Sequence, residues 1–169
     1  MFTDDEIHDG NADWQILRDG GISLYLRPAV LEAELEWLRS RDYEFKELDS
    51  GLWLTEALMH DALASALCFP AYYGRNLDAL NECLTEDVAV PTIGGLVLVL
   101  KRFHLFAEVS SLARAVLDIC ARASRSYMLS GRRFMVLVHS DDPLSRFDGL
   151  GCVDAGWNRK EWLLKNRGL

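Results

Sequence analysis

Two uninterrupted apolar runs constrain the fold of this chain more than any other feature. GGLVLVLKRF begins at the paired glycines Gly94 and Gly95, and FMVLV spans residues 134–138. Each run is far shorter than the roughly 18 apolar residues of a membrane-spanning helix. Neither run shows the alternation of apolar and polar residues that a strand with one wet face requires. Both runs therefore predict strands that are covered on both faces or lie at the centre of a sheet.

A helical pattern separates these two predicted strands and sets the fold class. Leu112, Val116, Ile119 and Ala123 recur at helical spacing between them. Alternation of strands and helices implies parallel strands that are joined by right-handed crossovers. The sequence therefore predicts an α/β fold, in which a small parallel β-sheet is packed with helices.

Shorter patterns predict further elements in the first 70 residues. ISLYL (22–26) and YEFKELD (43–49) are typical of strands. Pro28 suits the first turn of a helix between them, because its fixed φ matches that position. Thr55 is placed to cap the next helix, which we expect to stop before Pro70 because the residue ahead of a proline avoids helical geometry.

These elements predict one main domain with an extension at each end. Residues 1–41 form the N-terminal extension, with an acidic, non-periodic lead-in at 1–14 that is followed by a strand and a helix. Residues 42–140 form the main domain. Residues 141–169 form a C-terminal tail of loop residues, where Trp162 and Leu163 are placed to dock a short terminal helix.

The charge balance restricts the partners of this chain. It has 18 Lys and Arg residues against 26 Asp and Glu residues, a formal net charge of -8 and a pI near 5.0. Such a surface repels a phosphate backbone or an anionic membrane and attracts a basic protein. We therefore expect a basic protein partner, and no nucleic acid or membrane.

The cysteines and the N-terminus indicate the compartment. Cys68, Cys83, Cys120 and Cys152 form no CxxC pair, and three of them lie in apolar helical patterns, which is typical of reduced core thiols. The acidic N-terminus MFTDDEIHDGNADW lacks the basic and then apolar order of a signal peptide. Both features predict a cytoplasmic protein.

The segment PAYYGRNLDALNECLTED, residues 70–87, carries the most informative functional pattern. Asn76 is placed to cap a short helix, and Asp78 lies in its first turn, where a negative charge favours the positive end of the helix dipole. Helical geometry divides the side chains into an apolar half and a polar half. The polar half contains Arg75, Asp78, Asn81, Glu82, Thr85 and Glu86.

A solvated surface is the simplest explanation of that polar half, but the preceding loop favours a partner surface. Tyr72 and Tyr73 precede Gly74, beside carboxylates spaced four residues apart along the helix. Tyrosine is common among interface anchors, and a cationic partner would relieve the repulsion between the carboxylates. We expect Tyr73 to pack beneath the helix and Tyr72 to face the partner.

PAYYGRNLDALNECL resembles the pattern P-x-Y-Y-G-x-N-x-D-A-L-x-[DE]-C-L of the barstar family, the intracellular inhibitors of barnase-type ribonucleases. The order of elements from about Tyr43 to Ser140 is also similar. The resemblance implies a barstar-like fold and a non-catalytic inhibitor, or immunity-type protein, that masks a ribonuclease active site with acidic side chains in place of RNA phosphates. It implies that the partner is a barnase-type or other small basic ribonuclease.

The resemblance also assigns roles to residues of this motif. Tyr72, Gly74, Asn76 and Asp78 match positions that contact the enzyme, and Glu82 matches the position that mimics a phosphate. The predicted partner-binding set is Tyr72, Gly74, Arg75, Asn76, Asp78, Asn81, Glu82 and Glu86.

Four positions depart from the family prototype. Arg75 and Arg122 replace acids, Asn81 replaces an interfacial tryptophan, and Glu82 is longer than the usual aspartate. Loss of an aromatic anchor weakens an interface. The alternative interpretation is therefore a barstar-like interaction or regulatory module whose partner is not a nuclease, bound through the N-terminal strand-helix unit or the tail.

Other chemical constellations are weaker. His139, Ser140, Asp141 and Asp142 are adjacent in sequence, whereas a catalytic triad draws on separate segments and needs an oxyanion hole, so the aspartates are interpreted as turn formers. The histidines lack HxH or HExxH spacing, and the paired glycines lack the spacing of a nucleotide-binding loop. The sequence therefore predicts no enzyme, no metal and no cofactor.

The tail combines aromatic and basic residues in an acidic protein. These residues are Trp157, Arg159, Lys160, Trp162, Lys165 and Arg167. RNA binding is one interpretation, but the overall charge favours docking on the protein's own acidic surface or a dimer contact.

Overall fold

The computed structural model describes residues 11–150 and 153–162, which form a sheet with helices on both faces. The helices are α1 (Ala12–Arg18), α2 (Pro28–Arg39), α3 (Glu56–Leu67), α4 (Leu77–Glu82), α5 (Phe103–Val109), α6 (Ala113–Leu129) and α7 (Arg159–Trp162). The strands are β1 (Ile22–Tyr25), β2 (Tyr43–Asp49), β3 (Gly95–Lys101), β4 (Phe134–His139), β5 (Phe147–Leu150) and β6 (Val153–Trp157).

The six strands form one sheet in the order β2-β3-β4-β1-β6-β5. All neighbouring pairs are parallel except β5 and β6, which are antiparallel. The predicted α/β fold with a parallel sheet is confirmed. Strand β1 lies between β4 and β6, so strands from both ends of the chain join the sheet of the main domain.

Strands β3 and β4 have the central position that their apolar sequences predict. Every residue of β4 is buried, and in β3 only Lys101 is not. On one face, Val136 and its neighbours pack against α3, α4, α5 and α6. On the other face, Val97 and Leu137 pack against α1 and α2. Because side chains alternate along a strand, each strand supplies both halves of the core.

Two predicted helix starts are confirmed. Pro28 is the first residue of α2. The hydroxyl of Thr55 accepts a hydrogen bond from the backbone N–H of Leu58 at 3.3 Å and so caps α3. The lead-in expected over residues 1–14 ends earlier than predicted, since α1 begins at Ala12; residues 1–10 lie outside the described part of the chain.

The prediction of a loop-rich tail is wrong for residues 147–150 and 153–157, which form the antiparallel strands β5 and β6. FDGL and VDAGW contain aspartate and glycine, which are depleted in strands, so local propensity gave no strand signal. The pairing partner decides the conformation here, because Ser23 and Leu24 of β1 lie beside Gly156 and Trp157. The expected docking of Trp162 and Leu163 concerns side chains outside the described residues.

Arg159 and Lys160 of the tail pair with acids of the same chain. Lys160 Nζ donates to Glu34 Oε2 at 2.8 Å, and Arg159 Nη2 lies 3.8 Å from Asp19 Oδ2. These contacts agree with docking of the tail on the protein's own acidic surface. Lys165 and Arg167 lie outside the described residues.

The three cysteines that the structure describes are free thiols, with one difference from the prediction. Cys83 and Cys120 are buried as expected, and burial raises the pKa of Cys120 to about 12. Cys68 is exposed instead, because it follows the last turn of α3 with a left-handed φ of 56°. Cys152 lies outside the described residues.

Among the residues that the structure describes, no helix combines the length and the apolar character that crossing a membrane requires.

Candidate functional site

The second tyrosine of the motif anchors the loop that precedes α4. Tyr73 is half-buried, and its ring packs on Phe69 with 4.8 Å between the ring centroids. Its hydroxyl shares a short hydrogen bond with Nδ1 of His60 on α3. Burial raises the pKa of Tyr73 and lowers the pKa of His60, so both side chains are neutral at pH 7. The expected inward packing of Tyr73 is confirmed.

Tyr72 has the opposite environment, because it is 70% exposed. Its hydroxyl donates to the carboxylate of Asp87, with distances of 3.1 and 3.0 Å to the two oxygens. This hydrogen bond raises the pKa of Tyr72, and the nearby charge of Glu82 adds to the effect. The ring is therefore held at the surface beside two carboxylates. Sequence reasoning missed the contact with Asp87, since a separation of 15 residues forms no local pattern.

Asn76 connects the loop to the helix. Its Oδ1 accepts a hydrogen bond from the backbone N–H of Ala79 at 2.8 Å, which confirms the predicted N-cap. Its Nδ2 donates to the carbonyl oxygen of Gly74 at 3.3 Å. A Cβ atom at Gly74 would lie 3.1 Å from that same nitrogen and would press on the cap. Gly74 therefore permits the close approach of loop and helix.

Arg75 adopts a left-handed φ of 49° and turns towards α3. Its Nη2 lies 2.7 Å from Asp61 Oδ1, in a pair whose side chains are both about half exposed or more. An exposed ion pair of this kind contributes at most about 1 kcal/mol. The charge of Arg75 is therefore neutralised within the chain, but the side chain is free to exchange partners.

The acidic side chains lie on the exposed part of the motif helix. Asp78, Glu82 and Glu86 are all exposed, and no ion pair within residues 11–150 and 153–162 involves any of them. Their charges therefore face solvent without an internal counterion. The apolar half of the helix is buried as predicted, with Leu80 and Leu84 each 1% exposed.

The motif helix changes character after Glu82. Residues Cys83–Asp87 form a π-helical turn, in which the hydroxyl of Thr85 donates to the carbonyl oxygens of Asn81 and Glu82. The wider turn moves Glu86 away from the regular four-residue spacing that the sequence predicts. Single π turns often occur at functional sites, and this one brings Asp87 within reach of Tyr72.

The two other departures from the family pattern differ in their surroundings. Asn81 is half-buried on α4, inside the motif. Arg122 lies on α6 and pairs with Asp118, one helical turn earlier, at 2.7 Å. Arg122 also lines a shallow depression with Arg114 and Gly149 that includes no residue of the motif.

The residues after β4 form a turn. The hydroxyl of Ser140 is hydrogen-bonded to the Ser145 hydroxyl at 2.7 Å, and Asp142 Oδ1 accepts from the backbone N–H of Leu144 at 2.9 Å. Asp142 thus acts as the turn former that the sequence predicts. In the described part of the chain, no group of three or more His, Cys, Asp or Glu residues is arranged to hold a metal ion.

The sequence is similar to those of known proteins. The sequence profile of the family described as Barstar (barnase inhibitor) matches residues 43–139. A Bacillus subtilis (strain 168) protein named "Putative ribonuclease inhibitor YrdF" is 46% identical over 67 residues, which cover 39% of this chain and 69% of that protein.

One solved structure is similar to this protein in fold only. A chain in "Structure of Drosophila ORC bound to AT-rich DNA and Cdc6" matches with a TM-score of 0.50 and 18% identity, over 94% of this chain and 51% of that one. The present chain thus spans about half the length of that neighbour. The profile match begins at the first residue of β2 and ends at the last residue of β4. It contains all of residues 70–87, which we call the tyrosine–acid motif. Since the match covers more than half of the sequence, the chain belongs to the barstar family.

Proposed function

We propose that this protein is a non-catalytic inhibitor of a small basic ribonuclease, and that it masks the enzyme's active site with the surface from Tyr72 to Glu86. Membership of the barstar family and the inhibitor name of the B. subtilis relative support a role of the ribonuclease-inhibitor type. The observation that carries the proposed surface is the exposed Tyr72 ring, held beside carboxylates that form no ion pair with any residue the structure describes.

Steering and substrate mimicry together form the proposed mechanism. The net charge of -8 attracts a basic enzyme over a distance of about 10 Å, the screening length at moderate salt. Asp78 and Glu82 then take the positions that RNA phosphates occupy, and the Tyr72 ring packs on the enzyme surface. The hydrogen bond to Asp87 restrains this ring before binding, so binding loses less side-chain entropy.

The departures from the family pattern shape the partner that we propose. Asn81 offers an amide where the prototype has an aromatic ring, and Arg75 presents a cation beside Asp61. An enzyme that suits this surface has a polar group opposite Asn81 and an acceptor that competes for Arg75. We therefore propose a cognate ribonuclease distinct from barnase itself.

The same departures favour a second candidate, an interaction module with a non-nuclease partner. Such a partner would bind the N-terminal strand-helix unit or the tail, so its footprint in hydrogen exchange would fall outside residues 72–86.

Inhibition by a double variant tests the proposed surface. Wild-type protein and the Asp78→Ala, Glu82→Ala variant are used to capture partners from the source cell's lysate and secreted fraction, and captured fractions are assayed for cleavage of a fluorogenic RNA. Each lost carboxylate removes charge-assisted hydrogen bonds that contribute about 1.5–3 kcal/mol. We therefore expect the inhibition constant to rise about 100-fold or more.

A matched control separates specific contacts from net charge. The Glu36→Ala, Glu44→Ala variant also loses two exposed acids, but from α2 and β2, outside the proposed surface. It is expected to inhibit as wild type does, apart from a small loss of association rate. Equal inhibition by both double variants would contradict the proposed surface, and capture of a partner without ribonuclease activity would contradict the ribonuclease.

A further inference from the structure

The predicted partner-binding surface is small for a specific interface. It lies within residues 72–86, and α4 has only 6 residues, which corresponds to a length of about 9 Å. Specific protein interfaces involve roughly 20–30 residues on each side. A ribonuclease that binds this surface must therefore also cover a neighbouring part of the chain.

Two helices lie beside the tyrosine–acid motif on the same side of the sheet. Helix α3 packs over β2, whereas α6 packs over β4 and contacts α4. The buried sides of α3, α4 and α6 contribute to one hydrophobic core, so their exposed sides point away from the sheet. A partner that is seated on α4 can therefore extend over α3 or over α6.

Helix α6 presents cations to a partner in that position. Its exposed residues include Arg114, Arg122 and Arg125, and its nearest acid, Asp118, is half-buried. A surface with an excess of positive charge repels a basic enzyme. The family prototype has an acid at the position of Arg122, so this chain differs from the prototype on the α6 side of the motif.

Helix α3 presents an exposed stripe with little charge. Ala57, Leu58, Asp61 and Ser65 are all exposed, and their spacing places them on one side of the helix. We call these four residues the α3 face. Leu58 is 46% exposed, and Leu54, just ahead of the helix, is 71% exposed. The solvent side of a surface helix is normally charged or polar, so this composition favours contact with another protein.

An ion pair joins the α3 face to the motif. Arg75 Nη2 lies 2.7 Å from Asp61 Oδ1, so the two surfaces are continuous. Asp61 is the one charged residue of the α3 face, and a partner that covers the face buries no unpaired charge. Glu56, in the first turn of α3, adds a negative charge beside it. The α3 side therefore attracts a basic protein, whereas the α6 side repels one.

We propose that the ribonuclease bound by the tyrosine–acid motif also covers the α3 face and leaves the exposed side of α6 uncovered. Leu58 packs on an apolar part of the enzyme beside its active site, and a lysine or arginine of the enzyme shares Asp61 with Arg75. This inference rests on the proposed function for the contact at the motif, and it adds the direction in which the interface extends.

Matched leucine truncations on the two helices test this footprint. The probe is the basic ribonuclease purified by capture on wild-type protein, and the readout is its inhibition constant on a fluorogenic RNA. Leu58→Ala removes an apolar contact from the α3 face, and Leu129→Ala makes the same change at the 86% exposed last residue of α6. Both variants should keep the fold, since alanine favours a helix. We expect the inhibition constant to rise about fivefold or more in Leu58→Ala and less than about twofold in Leu129→Ala.

A charge reversal on α6 provides the second test. Arg122→Glu restores the acid that the family prototype has at this position. If the enzyme leaves α6 uncovered, the inhibition constant should fall by less than about fivefold, because only the steering of the enzyme improves. A larger fall would show that the enzyme covers α6 and would overturn the proposed footprint.

The outcomes separate this inference from the proposed function. Equal inhibition of a captured ribonuclease by Leu58→Ala and Leu129→Ala would overturn the α3 contact and leave the proposed function intact. Absence of a ribonuclease among the captured proteins would overturn the proposed function itself. The Asp78→Ala, Glu82→Ala variant should lose inhibition whichever helix the enzyme covers, because it removes the contact at the motif.

Discussion

Acidic side chains of the motif helix, which lies in the part of the chain that matches the family profile, and two buried acids in the part added around it serve opposite purposes. We call residues 43–139 the family region, and residues 11–42, 140–150 and 153–162 the added region. In the family region, Asp78 and Glu82 are exposed and have no ion pair among the described residues. Their full charge is therefore offered to solvent or to a partner.

In the added region, two acids are buried and held by the chain. Glu34 is 0% exposed and is paired with Lys160. Glu161 is 1% exposed and accepts hydrogen bonds from the backbone N–H groups of Leu26 and Arg27 and from Arg27 Nε. The comparison teaches that acids in the same molecule are divided between recognition and architecture by burial and pairing, and not by residue type.

Substitution of Glu161 should reduce the free energy of unfolding more than any other change considered below. It is therefore the strongest test of the difference between the buried and the exposed acids. Glu161→Ala leaves two backbone N–H groups and the Arg27 guanidinium without their acceptor, so the free energy of unfolding should fall by about 3 kcal/mol. Glu82→Ala should change it by less than about 0.5 kcal/mol. Urea denaturation followed by tryptophan fluorescence measures both, and equal changes would contradict the division between the two regions.

Removal of the Tyr72 hydroxyl should have a smaller energetic effect than Glu161→Ala, and it should act on partner affinity. It tests how the exposed surface of the family region is positioned. Tyr72→Phe keeps the ring and the net charge but frees the ring from Asp87, so partner affinity should fall about fivefold, which corresponds to about 1 kcal/mol. Stability should not change, because the hydrogen bond is exposed. A double-mutant cycle with Asp87→Ala measures the coupling between the two side chains, and strict additivity would show that Asp87 does not position the ring.

Protonation of His60 should have the smallest effect and tests the anchor beneath the motif. Burial lowers the pKa of folded His60 from its ordinary value of 6.5, so the folded state favours the neutral ring. Its contribution to stability is complete above the unfolded pKa and is lost as the pH falls below it. Stability should therefore decrease from about pH 7 to about pH 5, and His60→Gln should reduce that decrease. An unchanged slope in His60→Gln would remove His60 as its cause.

Much of the family region could be predicted because its signals are local. The apolar sequences of β3 and β4 indicate burial on both faces, and Thr55 and Asn76 cap helices through contacts only three residues long. Tyr73 packs inward on Phe69, four residues earlier in the chain. In each case the residues that determine the structure lie close together in the sequence.

The rest could not be predicted because its determinants are distant in sequence. Strands β5 and β6 depend on pairing with β1, and the acceptor role of Glu161 depends on backbone groups more than 130 residues away. The π turn has no sequence signature here, yet it sets the contact between Tyr72 and Asp87. Charge patterns alone do not distinguish buried acids such as Glu34 from exposed ones.

The strand order also has a consequence for self-association. In the family region alone, β4 would be an edge strand with five apolar residues and unpaired backbone groups, which is a template for aggregation. Strand β1 covers that edge, and strands β5 and β6 extend the sheet to a new edge of four residues with an irregular register. At the opposite edge, β2 carries Glu44, Lys46 and Glu47. Both edge strands of the sheet are therefore short or charged. The added strands thus replace an aggregation-prone edge with one that does not readily pair with a strand of another chain.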